Sequence, residues 1–156
     1  RVMQTCSAYS NDMAILSAAL LHDVLEDTAV TKNEMLDFLL TIMPASTARR
    51  TVMLVEQLTD VYVKASYPHW NRRKRKGEEI KGLSRISADA QTIKYADIID
   101  NVTDIVKCDV DFARVFVREG KKMLEAMDAG NPVLRKKALA IVDECVHSLP
   151  KQTAIL

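Results

Sequence analysis

Apolar residues recur every three or four positions along most of this chain, the spacing that places them on one face of an α-helix. The spacing predicts helices over residues 1–9, 12–25, 31–43, 46–58, 92–106, 109–127 and 133–148. One start is marked by a capping box from Thr31 to Glu34, and one break by Gly130 before Pro132. With only four glycines and four prolines in 156 residues, the chain is predicted to be all-α.

The periodicity is lost between residues 61 and 83, where we predict a mostly irregular basic loop. Five consecutive basic residues, from Arg72 to Lys76, stand in a nearly neutral protein. Arginine forks match phosphate oxygens, so this run is a candidate phosphate-binding segment, although charge runs also form solvated surfaces. Tyr67 and Trp70 beside it offer rings for base stacking, but one short patch is thin support for nucleic-acid binding.

Composition narrows the class of protein. A chain of 156 residues with 48% hydrophobic content is long enough for one core, so we expect residues 1–156 to form a single domain. Twenty-two Lys and Arg against 21 Asp and Glu give a formal charge of +1, which argues against coating nucleic acid or membranes through bulk charge. Because it has no secretory signal and no apolar run near 18 residues, we expect a soluble cytoplasmic protein without a membrane partner.

The densest candidate chemistry lies in residues 18–28, where His22 and Asp23 are followed by Glu26 and Asp27. On one helix these four side chains would fall within about 140° of arc, with apolar side chains on the other side. An imidazole beside three carboxylates is costly to desolvate unless it is paired or metal-bound, so a divalent ion would satisfy the group. The alternative is a frayed helix end with an ordinary His–Asp pair and a solvated turn.

A second polar face is predicted on residues 92–106. Asp97, Asn101 and Asp104 follow at i, i+4 and i+7 with Asp100 beside them, and isoleucines and valines share the opposite face. An amphipathic surface helix would explain this pattern. Short acidic and amide residues are nevertheless poor helix formers, which favours a functional reason for their presence.

Together these stretches resemble the HD superfamily of metal-dependent phosphohydrolases, and more closely the RelA/SpoT-type alarmone hydrolase domains and their small single-domain relatives. The matching segments are AALLHDVxEDT at residues 18–28, VExLTD at 55–60 and KxADxxxN at 94–101. The basic segment between the last two is also similar, and the resemblance covers most of residues 1–127. It implies a single HD-type helical bundle.

The resemblance also implies a metal site. Its ligands here would be His22, Asp23 and Asp97, with a further family histidine expected a few residues before Val2, so that we expect the first helix to be truncated. The resemblance implies that this metal is Mn²⁺. A mixed nitrogen and oxygen donor set also accommodates Mg²⁺, Fe²⁺, Co²⁺ or Ni²⁺.

By resemblance the substrate is guanosine tetra- or pentaphosphate, cleaved at its 3′ position to release pyrophosphate. Glu26 and Asp27 would orient or deprotonate the attacking water and handle the leaving group's proton. Asn101 would bind the ribose or a phosphate. The basic segment would lie near the substrate's phosphates, and the residues predicted to bind them are Arg72, Arg73 and Arg75.

One departure from the family leaves other functions open. Many members carry an arginine two positions after the asparagine, where this chain has Thr103. One alternative is an HD-type phosphohydrolase that acts on another nucleotide or phosphoester. A second is a non-catalytic nucleotide sensor with an incomplete metal site.

Overall fold

The computed structural model describes residues 1–150, which form nine α-helices and no strand. The helices are α1 (Val2–Ser7), α2 (Met13–Leu21), α3 (Val24–Asp27), α4 (Lys32–Leu40), α5 (Ala45–Leu58), α6 (Arg72–Leu83), α7 (Ala88–Cys108), α8 (Val110–Ala126) and α9 (Pro132–Ser148). The all-α prediction is confirmed. The last six residues of the predicted single domain lie outside the described part. Among the described helices, none is long and apolar enough to cross a membrane.

Helix α7 is the centre of the bundle, because it packs against α1, α2, α5, α8 and α9. Its residues Ile93, Tyr95, Ala96 and Val102 are completely removed from solvent. The surrounding helices also cover polar residues in the first half of α7, such as Gln91 and Asp97. Asp97 is therefore only 6% exposed.

The predicted helix over residues 12–25 is interrupted at His22 and Asp23. Helix α2 ends at Leu21, and α3 begins at Val24. Asp23 lies in the bridge region of backbone space, with φ −95° and ψ −5°, and its carbonyl accepts the hydrogen bond from the Asp27 amide that opens α3, at 2.8 Å. The arrangement of the site therefore does not follow from one continuous helix, and the prediction was wrong on this point.

The prediction of an irregular loop over residues 61–83 was also wrong in its second half. Asn71 caps α6, because its Oδ1 accepts a hydrogen bond from the Lys74 amide at 2.9 Å. Ion pairs one turn apart, such as Lys81 with Glu78 at 2.7 Å, add support. The helix lacks an apolar stripe, since it buries only Glu79 and Leu83, so periodicity could not reveal it. Within the segment 61–83, only residues 61–71 are irregular.

The connection from α8 to α9 is tied to α7 by a buried hydrogen-bond network. The Tyr95 hydroxyl donates to the Met127 carbonyl at 2.9 Å and accepts from the Gly130 amide at 3.3 Å. Gln91 Oε1 accepts from the Ala129 amide at 2.8 Å. This network holds α9 against α7 and α8, which places residues 132–148 in the bundle.

Candidate active site

A cavity of about 190 Å³ opens between α3, α6, α7 and α8. Its polar lining consists of six carboxylates, two lysines and one amide: Asp23, Glu26, Asp60, Glu79, Asp97, Glu119, Lys76, Lys94 and Asn101. Its apolar lining comes from α7 and α8: Ile98, Phe116, Gly120 and Met123. Four of the residues predicted from the sequence, Asp23, Glu26, Asp97 and Asn101, thus meet at one cavity.

The three predicted metal ligands lie close together, and two of them, Asp23 and Asp97, line this cavity. The imidazole of His22, just beyond the end of α2, has its Nε2 at 3.0 Å from Asp23 Oδ2 and 3.5 Å from Asp97 Oδ1. Its Nδ1 donates a hydrogen bond to the Ala19 carbonyl at 2.9 Å, so an Nε2–H that donates to Asp97 makes the ring an imidazolium cation. The hydrogen bond with Asp97 raises the pKa of His22, which favours this charged form of the ring.

His22, Asp23 and Asp97 fit a divalent ion by donor type. One imidazole nitrogen, whose partner nitrogen is fixed by a backbone carbonyl, and two carboxylates are common ligands of such ions. Within residues 1–150, however, no three His, Cys, Asp or Glu side chains are arranged to hold a metal ion. Both carboxylate oxygens of Asp97 have other partners, because Oδ2 lies 2.9 Å from Lys94 Nζ and Oδ1 accepts a hydrogen bond from Asn101 Nδ2 at 2.6 Å.

Lys94 and Asp97 form the innermost ion pair of the cavity, with side chains 17% and 8% exposed. Burial alone would lower the pKa of Lys94, but the carboxylates of Asp97, Glu79 and Glu26 outweigh it and raise that pKa above its ordinary value. Burial alone would raise the pKa of Asp97, but Lys94 and His22 outweigh it and lower that pKa. Both groups are therefore charged at neutral pH.

Glu26 is held at the mouth of the cavity by the backbone of another segment. Its Oε2 accepts a hydrogen bond from the Asp60 amide at 3.2 Å. Desolvation raises the pKa of Glu26, so this carboxyl exchanges protons closer to neutral pH than an ordinary glutamate. Asp27, the other predicted catalytic residue, is exposed at the end of α3 and is not among the residues that line the cavity.

The three arginines predicted to bind phosphate do not line this cavity. Arg72 binds Glu119 through two hydrogen bonds, Arg75 donates to the Trp70 carbonyl, and Arg73 is exposed. Arg72 and Arg75 instead line a neighbouring pocket, which shares Asp60 and Lys76 with the cavity.

Sequence reasoning named Lys76 only as part of the basic run, and it missed Glu79 and Glu119 as cavity residues. Lys76 binds Glu79 one turn along α6 and lies 3.6 Å from Asp60 Oδ2. The i, i+3 spacing of Lys76 and Glu79 was a usable signal, but only for a reader who already knew that α6 is a helix. Glu119 carried no local signal, because its partner Arg72 is 47 positions away.

Comparison with known proteins gives one informative relative. The guanosine-3′,5′-bis(diphosphate) 3′-pyrophosphohydrolase MESH1 of Mus musculus is 33% identical over 105 residues, which cover 67% of this chain. The chain spans about half the length of this curated relative, since the match covers 50% of it. No family model matches the chain, and no solved structure matches it. The motifs and this match agree, and the chain is related to the HD-type hydrolases.

Proposed function

We propose that this protein is a metal-dependent guanosine 3′,5′-bis(diphosphate) 3′-pyrophosphohydrolase that works in the cytoplasm. The observation that carries the proposal is that His22 contacts Asp23 and Asp97, which line a cavity that also contains Glu26 and Lys94. The relative that matches 67% of the chain is named for the same reaction. The reaction cleaves a phosphoester bond, for which the site offers candidate metal ligands, a proton acceptor and cations.

His22, Asp23 and Asp97 would hold the divalent ion, which the family resemblance suggests is Mn²⁺. When bound, such an ion polarises a phosphoryl oxygen or acidifies a water molecule. The Ala19 carbonyl keeps the hydrogen of His22 on Nδ1 and thereby leaves Nε2 available as a donor to the ion.

Glu26 would take the proton of the attacking water. The Asp60 amide fixes its Oε2, which leaves Oε1 for the water. Its raised pKa keeps the protonated form accessible after the transfer. We propose that Asp27, exposed one position further on, passes the proton to solvent or to the leaving group.

The cations of the site would bind the substrate's phosphates. Lys76 and Lys94 line the cavity, and Asn101 offers an amide at its edge. The cavity is smaller than the roughly 300–1,000 Å³ of most ligand pockets, so only the reacting diphosphate would enter it. The remaining phosphates would then lie near α6, where the predicted contacts are Arg72, Arg73 and Arg75.

A second candidate is an HD-type phosphohydrolase acting on another nucleotide or phosphoester. It is favoured by the charge of the cavity, where six carboxylates face two lysines. It is also favoured by Thr103, which stands where many relatives have an arginine. A substrate with fewer negative charges than guanosine tetraphosphate would meet less repulsion in such a cavity.

A substrate panel with Mn²⁺ and the full-length protein separates these candidates. Guanosine tetraphosphate, nucleoside monophosphates and nucleoside triphosphates are each incubated, and pyrophosphate and phosphate release are measured. Pyrophosphate from guanosine tetraphosphate alone supports the first proposal. Phosphate release from another nucleotide supports the second, and Mn²⁺ and nucleotide binding without turnover indicates a sensor.

A further inference from the structure

The guanidinium fork of Arg72 is occupied by a carboxylate that belongs to the cavity wall. Arg72 Nε donates to Glu119 Oε1 at 3.0 Å, and Nη2 donates to Oε2 at 2.6 Å. The guanidinium also lies 5.1 Å from the centre of the Phe112 ring. This two-pronged contact connects the first residue of α6 to α8.

The ion pair stands between two neighbouring pockets. Glu119 lines the main cavity, whereas Arg72 lines the basic pocket that also contains Lys64 and Arg75. Asp60 and Lys76 line both pockets, so the two spaces adjoin. An anion that extends from the cavity towards the basic pocket would meet Arg72 with its fork already filled.

A phosphate group presents the same pair of oxygen acceptors as a carboxylate, so both compete for one arginine fork. We propose that Glu119 is a specificity-determining residue, which holds Arg72 and thereby weakens the binding of ligands that extend a phosphate group from the cavity into the basic pocket. The proposal rests on the proposed function only in that the ligand is a phosphate ester or anhydride.

The pair is placed so that a phosphate can displace the carboxylate. The Arg72 side chain is 43% exposed, whereas Glu119 is 16% exposed. Exposed ion pairs are weak, and a multiply charged anion attracts a guanidinium more strongly than one carboxylate does. Displacement leaves Glu119 without its partner at the wall of an acidic cavity, which opposes binding. Glu119 therefore lowers the affinity for such an anion but does not prevent its binding.

Titration calorimetry tests this role. It measures the affinity of the full-length protein for inorganic pyrophosphate in the presence of chelator. Glu119→Gln frees the Arg72 fork, and we expect pyrophosphate to bind about three- to tenfold more tightly. In the double variant Glu119→Gln with Arg72→Gln, the gain is expected to disappear. Asp143→Asn is the matched control, because it removes a comparable ion pair with Lys121 between α8 and α9, and it is expected to change nothing.

A general effect of negative charge is distinguished by Glu119→Asp. This variant keeps the charge but withdraws the carboxylate by one methylene, so the fork is released and a partial gain is expected. Unchanged binding in Glu119→Gln, or an equal gain when Arg72 is also replaced, overturns the proposal. Absence of measurable pyrophosphate binding in Glu119→Gln overturns it as well.

Failure of the proposed function would be detected by a different measurement from failure of the Glu119 proposal. It would appear as absent pyrophosphate release from guanosine tetraphosphate by the wild type, whatever the calorimetry shows. Thermal unfolding of each variant verifies that the fold is retained.

Discussion

Lys94 and Asp97 lie about one turn apart on α7, and each offsets the free-energy cost of burying the other's charge. Their side chains are 17% and 8% exposed, and their charged atoms are 2.9 Å apart. Lys94 also neutralises part of the charge of Glu26 and Glu79, whose carboxylates contribute to its raised pKa. Without this lysine the carboxylates that line the cavity would repel one another, so it supports both the fold and the site.

Replacing either member of this pair is expected to destabilise the protein by about 3 kcal/mol, because a largely buried charge loses its partner. The double variant Lys94→Met with Asp97→Asn is expected to lose about 1 kcal/mol less than the sum of the single losses. Urea unfolding of the four proteins measures this. Strict additivity would show that the two charges do not stabilise each other.

Glu26 gives a prediction about catalysis. Glu26→Gln removes the proton acceptor while retaining the shape of the side chain, so we expect turnover to fall by about 10²- to 10⁴-fold. Mn²⁺ binding is expected to persist, since Glu26 is not among the proposed ligands. Glu125→Gln, on the exposed side of α8, is the control for the loss of one negative charge. An unchanged rate in Glu26→Gln would remove it from the mechanism.

Glu79 gives a prediction about pH and stability. Burial raises the pKa of this carboxyl, although Lys76 draws it in the other direction. Because the folded pKa lies above the unfolded one, the protonated group stabilises the fold at low pH, and this contribution is lost as pH rises through the folded pKa. Glu79→Gln is therefore expected to have a higher Tm than wild type at neutral and alkaline pH.

Scanning calorimetry across the acidic and neutral range measures the difference in Tm. The difference is expected to shrink as the pH falls and Glu79 becomes protonated in the wild type. A difference that grows on acidification would contradict the assignment of the raised pKa to burial.

Some helices of the fold can be predicted from local sequence signals, and others cannot. The capping box of α4 is present, because the Thr31 and Glu34 side chains each bond the other's backbone amide. Helix α9 begins at Pro132, directly after the predicted break at Gly130. These signals lie within a few residues of one another. By contrast, α6 could not be recognised, because a helix that buries little more than Glu79 and Leu83 leaves no apolar period.

A substitution at Gly130 would test the close packing of the α8–α9 connection against α7. A Cβ at this position would lie 2.5 Å from Tyr95 Cε2 and 2.9 Å from the Thr92 backbone nitrogen. Gly130→Ala is therefore expected to lower the free energy of unfolding by about 2 kcal/mol or more. Gly77→Ala is the matched control, since nothing lies within 4 Å of its added Cβ, and in helix α6 it is expected to stabilise by about 0.5–1 kcal/mol. Chemical unfolding measures both, and equal effects would contradict the close packing at Gly130.

At the scale of the whole molecule, the site exists because α7 carries Asp97 inside the bundle and the other helices bring their groups to it. The sequence predicted Asp23, Glu26, Asp97 and Asn101 as site residues, and all four line one cavity. It could not predict that the arginines of α6 point elsewhere, because the Arg72–Glu119 contact joins residues 47 positions apart. Contacts of this kind depend on how helices pack, and no local spacing reports them.

The most direct test of the central claim is pyrophosphate release from guanosine tetraphosphate by the full-length protein with Mn²⁺, compared with its Asp23→Ala variant. The proposed site predicts release by the wild type, loss of release with chelator, and loss in the variant despite an intact fold. Asp143→Asn is expected to keep the wild-type rate. Release that persists in Asp23→Ala, or that does not depend on a divalent ion, would contradict the assignment of His22, Asp23 and Asp97 as the metal site.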